Sequence, residues 1–378
     1  MIFDELIQPL SNTIFWSEFY EKKHYVINRN DNHFYDNIMS TNSLNEYFNS
    51  HNLSYPDIRL IKQGVNLASE LYVIDKQSNK INKKVLFKYY AEGATIRLQK
   101  AHNLFDSLYH FCNSLSRELQ MSIMANMYIT PNNSYGFNPH YDTHDVLVLQ
   151  LDGVKHWNIY DIPILLPLET QKMSLDNKKK YKEEKPIFTI PLCAGDLLYI
   201  PRGMVHDAYT LTNSSTHITI GLHPKRNIDI LTDVIKISEQ NLEFRKTFKN
   251  SIAENLALKN ELIQLIEKLF EELPKNNYGN LSYKNTFSSI ESINKLDDKT
   301  LLKLNKNEII DIETIDSLTK IYTCNGHITL PFESRQAFLF MQSNDVFTFD
   351  ELLYFMDKEI ATNLCKQFVL DGLLQVSN

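Results

Sequence analysis

The chain has 378 residues, 43% of them hydrophobic and 22% charged, with a formal net charge of −7. Two to three domains are expected at this length. No apolar run approaches the ~18–20 residues that span a bilayer, and the negative balance argues against a protein that works by neutralising many phosphates. The start, Met1-Ile2-Phe3-Asp4-Glu5-Leu6, carries acids where a secretory leader carries basic residues, so a cytoplasmic protein is expected. The cysteines Cys112, Cys193, Cys324 and Cys365 lie far apart with no CxxC pair, which fits neither a zinc knuckle nor a disulfide framework.

In chain order, residues 1–55 place Phe15, Phe19, Tyr20, Phe34, Tyr35, Leu44 and Tyr47 at helix-like intervals between Asn-rich breaks, which predicts a helical lead-in. Residues 56–225 change to short β-type runs: Met127–Thr130, Val146–Leu151, Val154–Tyr160, Ile187–Pro191, Leu197–Ile200 and His217–Leu222. That density of short strands predicts a jelly-roll barrel. Asp152-Gly153 reads as a two-residue hairpin turn between two of these strands. Gln171–Pro186, with its run Lys178-Lys179-Lys180-Tyr181-Lys182-Glu183-Glu184-Lys185, reads as a solvated loop without chemistry.

Residues 226–305 carry Leu231, Val234, Ile235, Phe244, Phe248, Ile252, Leu256, Leu262, Leu265, Ile266 and Leu269 mostly every three or four positions, a pattern of long amphipathic helices. The polar stretch Asn276–Thr300 reads as a linker, and residues 306–378 as a small mixed module whose end is winged-helix-like. From Asn325 onward that end holds seven acidic residues (Glu333, Asp345, Asp350, Glu351, Asp357, Glu359, Asp371) against three basic ones (Arg335, Lys358, Lys366), which disfavours direct DNA binding.

The chemistry concentrates in the barrel region. In Asn138-Pro139-His140-Tyr141-Asp142 the histidine and aspartate are two apart and share a strand face. A third ligand appears in Gly195-Asp196-Leu197-Leu198-Tyr199-Ile200-Pro201-Arg202-Gly203-Met204-Val205-His206, where an apolar strand ends in a Pro/Gly turn and returns with a histidine. Two imidazoles and one carboxylate, His140, Asp142 and His206, leave one face of an octahedral ion open, as in non-haem Fe(II) oxygenases. Lys155 shares a strand face with Trp157 and Ile159, with Asn158 and Tyr160 on the other side. An inward ammonium needs an anionic partner, either an internal Asp or Glu or the distal carboxylate of 2-oxoglutarate. His102, His144, His156 and His223 read as packing or surface histidines, and Tyr199 as core.

Three runs, Asn126-Met127-Tyr128-Ile129-Thr130-Pro131, Pro139-His140-Tyr141-Asp142 and Gln150-Leu151-Asp152-Gly153-Val154-Lys155-His156-Trp157, resemble the JmjC-type ribosomal oxygenases of the cupin-4 group. Phe15–Val26 resembles that group's opening motif, and the order of barrel, helical region and winged helix extends the likeness over nearly the whole chain. The resemblance implies a double-stranded β-helix fold, Fe(II) on His140, Asp142 and His206, and the 2-oxoglutarate tail on Lys155 and Tyr128. It further implies O2 as the oxidant, Asn126, Thr143 and His217 near cosubstrate or substrate, a homodimer built from the helical region, and a ribosomal protein as substrate, hydroxylated on Arg or His. Competing readings are a tailoring hydroxylase of a genetically encoded small peptide, a non-catalytic cupin that binds a ligand or protein, and a Zn or Mn cupin isomerase or hydrolase. Lysine demethylation is disfavoured, since no methyl-ammonium cage is evident.

Overall fold

The barrel is organised by one strand, Asp145–Ile159, whose 15 residues serve two sheets in succession. In chain order the strands are β1 (Tyr25–Ile27), β2 (Ile58–Lys62), β3 (Val65–Asn66), β4 (Thr95–Leu98), β5 (Ser122–Thr130), β6 (Asp145–Ile159), β7 (Phe188–Cys193), β8 (Leu197–Ile200), β9 (His206–Tyr209) and β10 (Ser215–His223). The first part of β6 pairs antiparallel with β8 and β10; the second part pairs with β7 and β9. The path β1-β8-β6-β10-β5-β4-β2-β3, with β7 and β9 joined to β6, is that of a double-stranded β-helix.

This computed structural model describes residues 2–74, 77, 79–239, 242–247, 252–272, 299–304, 309–315, 318–323, 326–331, 334–344, 346–370 and 373–377. Phe248, Cys324, Glu333, Asp345, Asp371 and the linker Asn276–Thr300, apart from its last two residues, lie outside them.

Two expectations are corrected. Asp152-Gly153 makes no hairpin, because β6 runs straight through it. Gly153 has φ +68°, and the pairing with β10 shifts register between Thr216 and His217. The register skips Leu151, so the positive-φ glycine follows directly on a bulge where the strand passes from one sheet to the other. A Cβ at Gly153 would stand 1.9 Å from the Ser214 carbonyl oxygen, so only glycine fits. The second correction concerns the lysine-rich segment, which is no open loop but contains the helix Leu175–Glu183, its N-terminus capped by the Ser174 hydroxyl. Tyr181, 1% exposed, packs there with Met173 against Tyr141, Tyr160 and Val205.

The chain divides into two compact units, Met1–His223 and Pro224–Asn378. The first holds the barrel together with the helices Ile2–Ile7, Thr41–Ser50, Lys83–Ala91 and Asp106–Leu119. Apolar side chains of the barrel strands, among them Val146, Val148, Trp157, Leu192, Leu198 and Ile200, form its inner packing. The second unit contains the helices Asn227–Ser238 and Ile252–Glu272, a three-stranded meander over Ile309–Pro331, and a strand Leu301–Leu304 paired with Phe347–Thr348 and Leu374–Ser377. Its core gathers Leu302, Leu304, Phe338, Met341, Phe347, Phe349 and Phe368.

Candidate metal centre and cavity

His140 and His206 are joined first through their backbones. His140 N–H donates to the His206 carbonyl at 3.1 Å, and His206 N–H returns the bond at 2.8 Å. This exchange sets the two imidazoles side by side, with ring centroids 4.7 Å apart. Asp142, two residues on, brings Oδ2 to 3.7 Å from His206 Nε2. One ligand atom from each of the three lies within 4.8 Å of the others.

The ring orientations are fixed from behind. His140 Nδ1 lies 2.9 Å from the Asn138 carbonyl and His206 Nδ1 3.0 Å from the Met204 carbonyl. A carbonyl only accepts, so both Nδ1 atoms carry a proton, which leaves Nε2 as the ring atom available to a metal. Burial, with His140 as the next cause, pushes the His206 pKa down to about 4, which keeps it neutral at physiological pH. Burial alone would raise the Asp142 carboxyl, but His144, His140, His206 and Arg97 outweigh it and hold the pKa below the ordinary value. Metal ligation requires a neutral imidazole and an ionised carboxylate, and the lowered values of His206 and Asp142 both lie on that side.

The triad faces a cavity lined among others by Thr95, Tyr128, Thr130, Phe137, Lys155, Trp157 and His217. Six of its side chains form a closed girdle: Tyr128 to Phe137 at 6.0 Å between ring centroids, Phe137 to His140 at 5.4 Å, His140 to His206 at 4.7 Å, His206 to Trp157 at 5.9 Å, Trp157 to His217 at 5.4 Å and His217 back to Tyr128 at 5.0 Å. Lys155 is 3% exposed and donates from Nζ to the Thr130 hydroxyl at 2.7 Å; Thr130 in turn shares a hydrogen bond with Thr95 at 3.1 Å. Burial lowers the Lys155 pKa to about 7. Burial, and Lys155 second, push His217 well below the usual histidine range.

The structure therefore brings His140, Asp142, His206, Lys155, Tyr128 and His217 to one cavity. Asn126 and Thr143 are not among its lining residues, and Asn126 Oδ1 accepts the backbone N–H of Lys100 instead. Thr95, Thr130, Phe137, Trp157 and Asp207 line the cavity without having been singled out in sequence. Thr130 was reachable: it lies two residues beyond Tyr128 on the same face of β5. Asp207 accepts from Asn158 Nδ2 at 3.0 Å and from the Tyr160 hydroxyl at 2.8 Å. Away from the girdle, His102 accepts the Ala125 N–H, His144 stacks on His223 with centroids 4.3 Å apart, and Tyr199 is fully buried.

The JmjC domain family is matched over residues 97–230. The chain is 32% identical over 257 residues to the bifunctional lysine-specific demethylase and histidyl-hydroxylase NO66 of Dictyostelium discoideum, covering 64% of this chain and 48% of that protein. It is 28% identical over 281 residues to the protein of the same name from Culex quinquefasciatus, covering 68% and 42%. The chain thus spans about half the length of these curated relatives or less. Among solved structures, the ribosomal oxygenase YcfD of Escherichia coli superposes with a TM-score of 0.54 at 15% identity, over 97% of this chain and 98% of that one. YcfD in complex with cobalt and 2-oxoglutarate gives 0.53 at 15% identity, over 98% and 99%. At this identity the likeness is one of fold.

Proposed function

We propose that the chain is a JmjC-type ribosomal oxygenase, an Fe(II)- and 2-oxoglutarate-dependent dioxygenase that hydroxylates an amino-acid side chain of a protein, a reading supported by the JmjC match and the named relatives. The observation that carries this reading is the pairing, in one cavity, of a three-ligand cluster with a buried lysine that has no carboxylate partner among the described residues. A buried ammonium facing only a hydroxyl is costly, and an anionic ligand offsets that cost. The donor set fits the metal as well: two Nε2 atoms and one carboxylate oxygen converge, with each ring's other nitrogen tied to a carbonyl.

His140, Asp142 and His206 would hold Fe(II), and Lys155 with Tyr128 the far carboxylate of 2-oxoglutarate. When bound, iron, cosubstrate and O2 supply an oxidative decarboxylation coupled to hydroxylation of a C–H bond, with succinate and CO2 as co-products. The chain's own residues bind and orient. Thr130 holds the Lys155 ammonium in place, and Thr95 holds Thr130. Tyr128 is clamped between the His217 ring, stacked at 14°, and the Arg97 guanidinium 5.6 Å from its centroid. The aromatic girdle lines the space between lysine and triad. His217, neutral beside the lysine, adds no competing cation.

The substrate we favour is a histidine or arginine side chain of a ribosomal protein, with the cytoplasm as the place of action. Support comes from the histidyl-hydroxylase and ribosomal-oxygenase names of the relatives. We read residues 226–305 as a self-association region, supported by Ile228, Leu231 and Ile235, which are 42%, 51% and 62% exposed at helical spacing on Asn227–Ser238. Residues 306–378 we read as a winged-helix-like module.

The test is succinate release from 2-oxoglutarate by the Fe(II)-loaded protein, with and without ribosomal protein fractions, followed by mass analysis of the stimulating protein. Gain of one oxygen atom on a His or Arg supports the reading. Loss of a methyl group from lysine would replace hydroxylation by demethylation, and no turnover with any fraction would end the oxygenase reading.

A further inference from the structure

The two segments that carry the metal ligands are pinned by one buried polar cluster whose fourth member comes from the N-terminal lead-in. Tyr199, fully buried in β8, donates from its hydroxyl to Asp145 Oδ1 at 2.5 Å and accepts the backbone N–H of Glu21 at 2.8 Å. Glu21 Oε1 in turn accepts from Arg202 Nη2 at 2.5 Å, with the two side chains 29% and 7% exposed. Among the described residues Arg202 Nε and Nη1 find no hydrogen-bond partner, so Glu21 is the carboxylate hydrogen-bonded to this guanidinium, while Asp145 accepts the Arg202 backbone N–H.

Two of the members lie close to ligands along the chain. Asp145 is three residues after Asp142 at the start of β6, and Arg202 is four residues before His206 at the tip of the Pro201–Met204 turn. The turn is itself docked on the ligand loop, since Gly203 N–H donates to the Asp142 carbonyl at 2.9 Å. Its Met204 carbonyl is the acceptor that orients His206. The lead-in is held on the far side as well. Tyr25 pairs with Tyr199 in register, the Phe15 ring meets Tyr199 edge-on at 4.9 Å, and Glu21 adopts φ +59°, a left-handed backbone that costs energy in a residue with a Cβ.

From this we infer that Glu21, through Arg202 and Tyr199, is a positioning residue of the metal centre: the lead-in clamps the Asp142 loop and the His206 turn in the spacing that lets three ligands meet one ion. The inference rests on the metal-site reading above. A buried guanidinium hydrogen-bonded to the Glu21 carboxylate, with the Asp145 carboxylate close by, transmits that constraint because its alternative is a poorly paired charge away from water. Orienting groups behind metal ligands commonly change affinity tenfold to a hundredfold when removed.

The experiment is Co(II) titration of the full-length apo protein, with the visible d–d spectrum recorded, for wild type, Glu21→Gln, Tyr199→Phe, Arg202→Gln and the Glu21→Gln/Arg202→Gln double variant, alongside thermal melting of each apo form. Glu21→Gln and Tyr199→Phe are expected to weaken Co(II) binding by roughly tenfold or more and to shift the d–d bands. The double variant should bind no worse than Arg202→Gln alone, because the two act in series. Tyr199→Phe keeps the ring and its packing, so it remains informative should Glu21→Gln fold poorly. Unchanged affinity and spectrum in Tyr199→Phe, or additive losses in the double variant, overturn the clamp while leaving the metal site standing. Failure of wild type to bind Co(II) overturns the metal site and the clamp with it.

Discussion

Lys155 Nζ donates to the Thr130 hydroxyl at 2.7 Å, and among the described residues no Asp or Glu stands within ion-pair distance of that ammonium. The protein buries a cation opposite its metal-ligating triad and supplies a neutral oxygen as the neighbour. Such an arrangement is destabilising for the fold taken alone and is relieved by an anion.

Lys155→Met keeps the stem and removes the charge. The expected outcome is a loss of 2-oxoglutarate affinity of at least tenfold to a hundredfold, the order of a charge-assisted hydrogen bond at ~1.5–3 kcal/mol. Co(II) affinity should stay close to that of wild type. Thr130→Val, which removes the positioning hydroxyl, should cost several-fold less. Calorimetric titration of the Co(II)-loaded protein measures both. Retained 2-oxoglutarate binding in Lys155→Met would remove the lysine from the site.

Replacement of His140, Asp142 or His206 by Ala is expected to abolish stoichiometric Co(II) binding, because two ligands cannot hold the ion in competition with water. His33→Ala is the comparison, since that ring is 84% exposed and paired with Asp36 at the surface. A titration in which any triad variant binds as tightly as wild type would show that the metal sits elsewhere.

The triad was legible because His140 and Asp142 are two residues apart and the third ligand follows a Pro/Gly turn that reverses the chain; the shared strand face is corrected, since His140 sits on an isolated bridge and Asp142 in the loop before β6. Lys155 was legible by alternation along β6. The signal failed where local chemistry has two uses. Asp-Gly favours a tight turn, but a positive φ at Gly153 serves a bulge equally well, and the choice was made by β10 and β7 lying ready to pair on either side. The helix Leu175–Glu183 buries only Tyr181, so its polar run hid the single contact that orders it. Glu21 and Arg202 are 181 positions apart, and no local pattern announces a pair at that separation.

Gly153→Ala tests the bulge. The substitution places a Cβ 1.9 Å from the Ser214 oxygen and forces φ +68° on a residue that avoids it. A loss of more than ~1 kcal/mol is expected, with a lower melting temperature and weaker 2-oxoglutarate binding, because Lys155 follows two residues later. An unchanged melting temperature would show that β6 can redirect without the glycine.

Burial lowers the Lys155 pKa from 10.5 to about 7. Between those values the unfolded chain carries a proton that the folded apo protein lacks. Apo stability contributed by this group therefore rises as pH increases across that window, by up to about 1.4 kcal/mol per pH unit, and falls again toward pH 7. A bound carboxylate stabilises the ammonium and returns the proton, so binding above pH 7 must take one up. Calorimetry of 2-oxoglutarate binding near pH ~8.5, in two buffers with different ionisation enthalpies, should report uptake approaching ~1 proton, and affinity should weaken by as much as about tenfold per pH unit above 7. Lys155→Met should abolish both the uptake and this component of the pH dependence. Binding without proton uptake in wild type would mean that Lys155 stays neutral against the ligand, and the anion would then need another cation in this cavity.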